Sequence, residues 1–236
     1  MNKVQSIVES FKTARIEISN EQAEKFSTLF EYMVEYNENV NLTSITEFSD
    51  VVMKHFIDSV LPFTGQFGIT APKNGESFID VGTGAGFPAL PLLIVRPDLN
   101  GTLCDSLQKR CDYLEKVCRL IGVKAEIIHA RSEDLGQKRR NEFDFATARA
   151  VAAMPVLCEY CIPFVKVGGR FIALKSVNEE TTAAENAVKI LGGEKMNIVD
   201  YKLPNGDSRR LIEIKKISNT PSKYPRAAAK IKKTPL

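Results

Sequence analysis

Apolar positions in the first sixty or so residues recur at three- and four-residue spacings. Phe26, Leu29, Phe30, Met33 and Val34 mark one face of a helix, and Ser19-Asn20-Glu21-Gln22 supplies capping residues just ahead of it. Residues 1–61 therefore read as helices. From Ser77 onward the period changes, and short β-rich runs alternate with amphipathic stretches. Strands are predicted at 77–81, 101–105, 125–130, 143–147, 170–174, 198–202 and 209–216, with helices at 88–96, 109–121, 155–164 and 178–191. Strands that alternate with helices need crossover connections, and these build a parallel sheet covered on both faces. The last two strands are joined only by Leu203-Pro204-Asn205-Gly206-Asp207-Ser208, a turn-rich link with no room for a helix, so they pair antiparallel. The expected architecture is α/β: a mostly parallel seven-stranded sheet ending in an antiparallel strand. The chain divides into an N-terminal helical segment packed on the core (1–61), the α/β core (62–217) and a C-terminal tail (218–236).

Composition adds constraints. At 236 residues, with 44% hydrophobic and 26% charged residues, the chain suits one large domain with a proper core and is not disordered. No stretch approaches the roughly 18 consecutive apolar residues of a membrane span, so a cytoplasmic protein without membrane attachment is expected. The five cysteines, Cys104, Cys111, Cys118, Cys158 and Cys161, are odd in number and sit among apolar neighbours, which favours free thiols. Cys158 and Cys161 share a helical face, and no second pair follows at zinc spacing; they read as packing, and no metal is expected. The net charge of +3 conceals an asymmetry. After Glu213 there is no acid, whereas Lys215, Lys216, Lys223, Arg226, Lys230, Lys232 and Lys233 are all basic. A basic tail on an acidic body is a footprint of nucleic-acid binding, with a solubilising tail as the alternative.

The most informative segment is Phe78-Ile79-Asp80-Val81-Gly82-Thr83-Gly84-Ala85-Gly86-Phe87-Pro88. A buried strand ends in an acid, Asp80, and Gly82, Gly84 and Gly86 follow at alternate positions. Glycine lets the backbone turn sharply and approach a ligand closely. A dinucleotide fingerprint would place glycine where Phe87 stands, and a P-loop would need Gly-Lys-Ser/Thr after the glycines, so both fail. The D-x-G-x-G-x-G pattern instead resembles motif I of class I methyltransferases, where the loop holds the methionine part of S-adenosylmethionine. The context agrees. Asp105 ends the second strand and is placed to accept hydrogen bonds from the ribose hydroxyls. Ser132 and Glu133 follow the third strand and approach the adenine. Arg149 follows the fourth and faces the point where methyl donor and acceptor meet. Such a sheet with this loop is the layout of a Rossmann-like class I methyltransferase.

Absences narrow the chemistry. No Asn/Asp-Pro-Pro-Tyr/Phe turn follows the fourth strand, as an exocyclic-amine enzyme would have, and no Pro-Cys nucleophile exists for cytosine C5. Guanine N7 demands neither, because its lone pair needs no deprotonation. Competing readings are a methyltransferase acting on protein or metabolite, a non-catalytic adenosine- or RNA-binding module, and a dehydrogenase, which the glycine spacing opposes.

The sequence closely resembles the RsmG (GidB) family of 16S rRNA guanine-N7 methyltransferases over nearly its whole length. The resemblance is carried by Asn41-Leu42-Thr43-Ser44-Ile45, by His55, Asp58 and Ser59, by Asp80 through Pro88, and by Asp105-Ser106 with Lys109-Arg110. Thr147 through Val151, Ala173-Leu174-Lys175 and Lys223-Tyr224-Pro225-Arg226 complete it. It implies S-adenosylmethionine contacts at Gly82, Phe87, Ser132, Glu133 and Arg149, and a guanine target in 16S rRNA, presented naked or in the small-subunit particle. RNA contacts are expected at Lys109, Arg110, Lys175, Lys223, Arg226, Lys230, Lys232 and Lys233, in a monomer. No catalytic base is assigned. Ala89 stands where many members have glycine, and Ala227-Ala228-Ala229-Lys230-Ile231 departs from the family's usual tail. His55 and Asp58 either dock the helical segment on the sheet or shape the guanine pocket, and His129 reads as packing at the end of a buried strand. Removing residues 223–236 is expected to leave cofactor binding nearly intact and to weaken RNA binding.

Overall fold

The computed structural model describes residues 2–236. Helices α1 (Lys3–Thr13) and α2 (Asn20–Asn37) open the chain, and α2 carries the capping box expected at Ser19 and Gln22. Then comes a continuous helical stretch made of α3 (Phe48–Val51), a π-helical turn (Val52–Ile57), α4 (Asp58–Val60) and a 3-10 turn (Leu61–Phe63). The alternating region gives β1 (Ser77–Val81), α5 (Ala89–Val95), β2 (Asn100–Asp105), α6 (Gln108–Ile121), β3 (Ala125–His129), α7 (Ser132–Lys138), β4 (Phe143–Arg149), α8 (Met154–Cys161), β5 (Val165–Lys175), α9 (Glu185–Ile190), β6 (Asn197–Lys202) and β7 (Ser208–Lys215). A last helix, α10 (Ala228–Lys233), lies in the tail.

The seven strands form one sheet in the order β3-β2-β1-β4-β5-β7-β6. Strands β1 to β5 are parallel, and β7 runs antiparallel between β5 and β6. The order reverses between β1 and β4, so the loops after β1 and β4 diverge there and open a crevice at the carboxyl edge. The N-terminal helices close one face of the sheet: Phe11, Phe26 and Met33 lie in the same core as Phe78, Leu92 and Phe145. Tilted ring contacts run from Phe11 through Phe26 to Phe56, with centroids 4.9 and 4.8 Å apart. A second core, beneath α8 and α9, holds Cys158 and Cys161. Both are fully buried free thiols, as their shared helical face predicted.

Several expectations are corrected. Strand β3 is an edge strand, and His129 at its end is exposed, its Nε2 3.1 Å from the Ser106 carbonyl. Residues 132–138, where no helix was predicted, form α7, while the predicted 178–191 helix shrinks to a 3-10 turn at Thr182–Ala184 and α9. The 155–164 helix ends as α at Cys161 and continues as a 3-10 turn through Pro163, which has no N–H to give an α-helical bond. The tail is packed, not free. Ile231 and Tyr224 are buried, and Arg226 grips the fully buried Glu159 through Nε at 2.9 Å and Nη2 at 2.7 Å. Removing residues 223–236 would therefore strip side chains from the second core, and it would take away Lys232, which lines the cavity described next. Among the described residues no helix is long and apolar enough to cross a membrane.

Candidate active site

The loop after β1 is held from three sides. Gly82 and Thr83 donate their N–H groups to the Cys104 carbonyl at 2.8 and 3.1 Å, tying the loop to β2. Asp80 accepts from the Thr83 hydroxyl at 2.7 Å and the Ala89 N–H at 3.2 Å, so it joins the strand end to the start of α5. Asp105 accepts from the N–H groups of Gly84 and Leu107, each at 2.9 Å. Gly82 has φ +69, and a Cβ there would come within 2.9 Å of Val151 Cγ2. That position needs glycine for both conformation and space.

A cavity of about 340 Å³ opens above these loops. Gly82, Asp105, Ser132, Glu133, Tyr160 and Lys232 are among its walls. Asp105 and Glu133 are 3% and 6% exposed, and Glu133 has one hydrogen-bond partner among the described residues, the Ser132 hydroxyl at 3.3 Å. A sheltered carboxylate with spare acceptor capacity suits a ligand rich in donors, such as a nucleoside. Cys104 also lines the cavity, but burial pushes its thiol up to about 12, so it offers no thiolate.

Arg149 heads a second cavity of about 480 Å³, beside the first and separated from it by the chain at Ala150 and Val151. Ala150 holds φ +58, a conformation that L residues other than asparagine and aspartate seldom adopt. The Arg149 guanidinium donates to the Lys54 carbonyl at 3.0 Å and meets His55 Nδ1 at 3.1 Å, and it lies over the Phe87 ring at 5.1 Å from the centroid. His55 in turn stacks on Phe87 at 4.6 Å. His55 Nδ1 also lies 3.2 Å from the Lys54 carbonyl, and Nε2 lies 2.8 Å from the Thr43 hydroxyl. Burial, helped by Arg149, lowers the His55 pKa to about 3, so the ring is neutral at pH 7. Asp58 accepts from Arg209 Nε at 2.9 Å and the Tyr201 hydroxyl at 3.3 Å. His55 and Asp58 thus dock the helical segment on the sheet and also line the second cavity.

Of the residues singled out in the sequence, Gly82, Asp105, Ser132 and Glu133 gather at the first cavity, while Arg149 belongs to the second and Phe87 lies packed beneath its guanidinium. Asp80 is fully buried and lines neither. Gly84 and Gly86 shape the loop, with φ +60 and +90. Glu179, Tyr201 and Arg209 line the second cavity without any local motif to announce them; Asp58 and Arg209 are 151 positions apart. Among the basic residues, Arg110 leans on Asp105 at 3.5 Å, Lys175 pairs with Glu179 at 3.0 Å, and Arg226 is committed to Glu159. Lys109, Lys223, Lys230 and Lys233 are exposed and form no ion pair among the described residues.

Asp80 has a testable pH signature. Burial raises its pKa to about 7, and Oδ1 has no hydrogen-bond partner among the described residues. Between about pH 4 and 7 the fold keeps a proton that the unfolded chain has released, so this group's contribution to stability is lost as pH rises. The low His55 pKa acts with opposite sign, costing stability as pH falls from about 6.5 toward 3. Asp80→Asn removes only the first effect. The stability of the variant relative to wild type should therefore grow from pH 5 to 7.5 in urea unfolding; a constant difference would show that Asp80 is ionised throughout.

Comparison with known proteins places this arrangement in a family. The sequence matches the profile of GidB, rRNA small subunit methyltransferase G, over residues 22–212. It is 45% identical over the full length of both chains to "Ribosomal RNA small subunit methyltransferase G" of Lactobacillus acidophilus. It is 46% identical to the protein of the same name from Clostridium beijerinckii, covering 94% of this chain and 93% of that one. Among solved structures, a predicted O-methyltransferase, Atu636 of Agrobacterium tumefaciens, superposes with a TM-score of 0.53 at 14% identity, over 69% of this chain and 80% of the other. P. horikoshii TYW2 in complex with MeSAdo gives a TM-score of 0.53 at 13% identity, over 68% and 61%. These two share the fold alone. The end-to-end relatives and the long profile match decide the question: this chain belongs to the GidB family, the rRNA small subunit methyltransferases G.

Proposed function

We propose that this protein transfers a methyl group from S-adenosylmethionine to N7 of a guanine in 16S ribosomal RNA. The observation that carries this reading is the pair of adjoining cavities at the carboxyl edge of the sheet, one sheltered and lined by carboxylates, the other charged and headed by Arg149. The bound cofactor supplies an electrophilic methyl group on a cationic sulfur. The chain's own part is to bind and orient. Gly82 provides the close backbone approach, Asp105 faces the ribose and braces the loop through Gly84, and Ser132 and Glu133 offer acceptors to the adenosine. Gly84, Gly86 and Asp80 act through the loop's shape, and Phe87 through the seating of Arg149.

Guanine N7 has an in-plane lone pair, so no base is needed, in keeping with a neutral His55 and a protonated Cys104. Proximity and orientation alone can supply on the order of 7–11 kcal/mol. Because N7 faces the deep major groove of A-form RNA, the target has to lie in a loop or be unstacked, at a cost of a few kcal/mol. Lys109, Lys223, Lys230 and Lys233 hold the phosphates, with Arg110 and Lys232 beside the cofactor cavity, while Arg226 serves by seating the tail. The relatives' names support an RNA substrate, and such an enzyme works in the cytoplasm, as a monomer in our reading. Its segments 1–61, 62–217 and 218–236 act together as one body.

The test is transfer of a tritiated methyl group to undermethylated small-subunit RNA, against protein and metabolite pools, followed by N7-specific chain cleavage. Label should appear at one guanine that is unmodified in cells lacking the protein. Label in the protein pool, or in RNA at an exocyclic amine, would overturn the proposal.

A further inference from the structure

A nearly buried ion pair stands in the wall of the second cavity, beside the loop that follows β4. Lys175 Nζ lies 3.0 Å from Glu179 Oε2, with the side chains 7% and 16% exposed. Each partner is half used. The Lys175 ammonium also donates to the Ala152 carbonyl at 2.6 Å, which leaves one of its three protons. Glu179 Oε1 accepts from the Met154 N–H at 2.8 Å and Oε2 from Lys175, which leaves each oxygen one free lone pair. The pair therefore offers one donor beside two acceptors. Asp58, the other carboxylate lining this cavity, already serves Arg209 and Tyr201 and has Arg149 at 3.8 Å.

Guanine's Watson–Crick edge runs acceptor, donor, donor: O6, N1–H and the N2 amine. That is the complement of the Lys175–Glu179 pair, in order. Adenine and cytosine reverse the first two positions, and uracil sets a carbonyl oxygen against the carboxylate. Extruded bases are commonly read through this edge. We propose that Lys175 and Glu179 form the base-reading site of this enzyme, Lys175 donating to O6 while Glu179 accepts from N1–H and the N2 amine. Holding that edge leaves N7 uncovered on the other flank of O6, free to meet the methyl donor. The inference rests on the guanine-N7 function proposed above and assigns its acceptor pocket and its selectivity.

The experiment replaces the target guanosine by inosine, which keeps O6, N1–H and N7 but lacks the N2 amine. Small-subunit RNA carrying either base is assayed with wild type and with Glu179→Gln, whose cofactor affinity is measured alongside as a check on folding. For wild type, kcat/KM should fall about tenfold to a hundredfold from guanosine to inosine, the range for losing a hydrogen bond to a charged group. Glu179→Gln should methylate guanosine slowly and discriminate little between the two bases. Equal wild-type rates on both RNAs overturn the proposal even if the variant fails to fold. So does a Glu179→Gln enzyme that binds cofactor and keeps the wild-type preference. If wild type places no methyl on N7 of either RNA, the proposed function itself fails, an outcome distinct from loss of discrimination.

Discussion

Arg226→Ala is expected to cost about 3–5 kcal/mol of folding stability, because it leaves the fully buried Glu159 carboxylate without its cation. For a chain of this size each kcal/mol lowers Tm by about 2–4 °C, so the midpoint should drop by roughly ten degrees. The loss comes from the stranded charge more than from the vanished attraction. Removing both charges, as in Arg226→Met with Glu159→Leu, should therefore recover part of it, although the Arg226 N–H, which donates to Glu159 Oε1 at 2.7 Å, loses its acceptor. Calorimetry of the two single variants and the double variant decides the matter. A single-variant loss below about 1 kcal/mol, the range of an exposed pair, would mean the tail does not seat as described.

Arg149→Lys is expected to lower kcat/KM by about a hundredfold or more, the scale on which small misplacements of reacting groups are felt. The guanidinium engages the Lys54 carbonyl and His55 Nδ1 at once while lying over Phe87, and a single ammonium cannot reproduce that planar fork. Methyl transfer measured beside cofactor affinity separates positioning from binding. Activity within about threefold of wild type in the lysine variant would show that Arg149 acts only as a positive charge, since a general charge effect survives the exchange.

The tail shows what local reading leaves open. Counted along the chain, its cations form one basic cluster. In the fold, Lys216 is buried, donating to the Asn141 side chain at 2.6 Å, Arg226 is spent on Glu159, and Lys232 reaches the first cavity. Arg139, in the basic run before β4, pairs with Glu126 and Glu142, and Arg210 with Asp200. Charge can be counted from sequence, but whether it faces solvent or an acid a hundred residues away is a matter of packing.

The alternation of strands and helices, the antiparallel close of the sheet and the glycine loop after β1 were legible along the chain. Each follows from periodicity or from a backbone conformation that only certain residues adopt, and both are properties of neighbours in the chain. The gathering of Gly82, Asp105 and Glu133 was legible for the same reason, since a doubly wound topology sends every such loop to one edge. Packing alone turns Arg149 to a second cavity and brings Glu179, Tyr201 and Arg209 to that cavity's walls. Those residues meet through long-range contacts, such as the one spanning 151 positions from Asp58 to Arg209, and no spacing rule encodes an encounter that strand order and helix docking create.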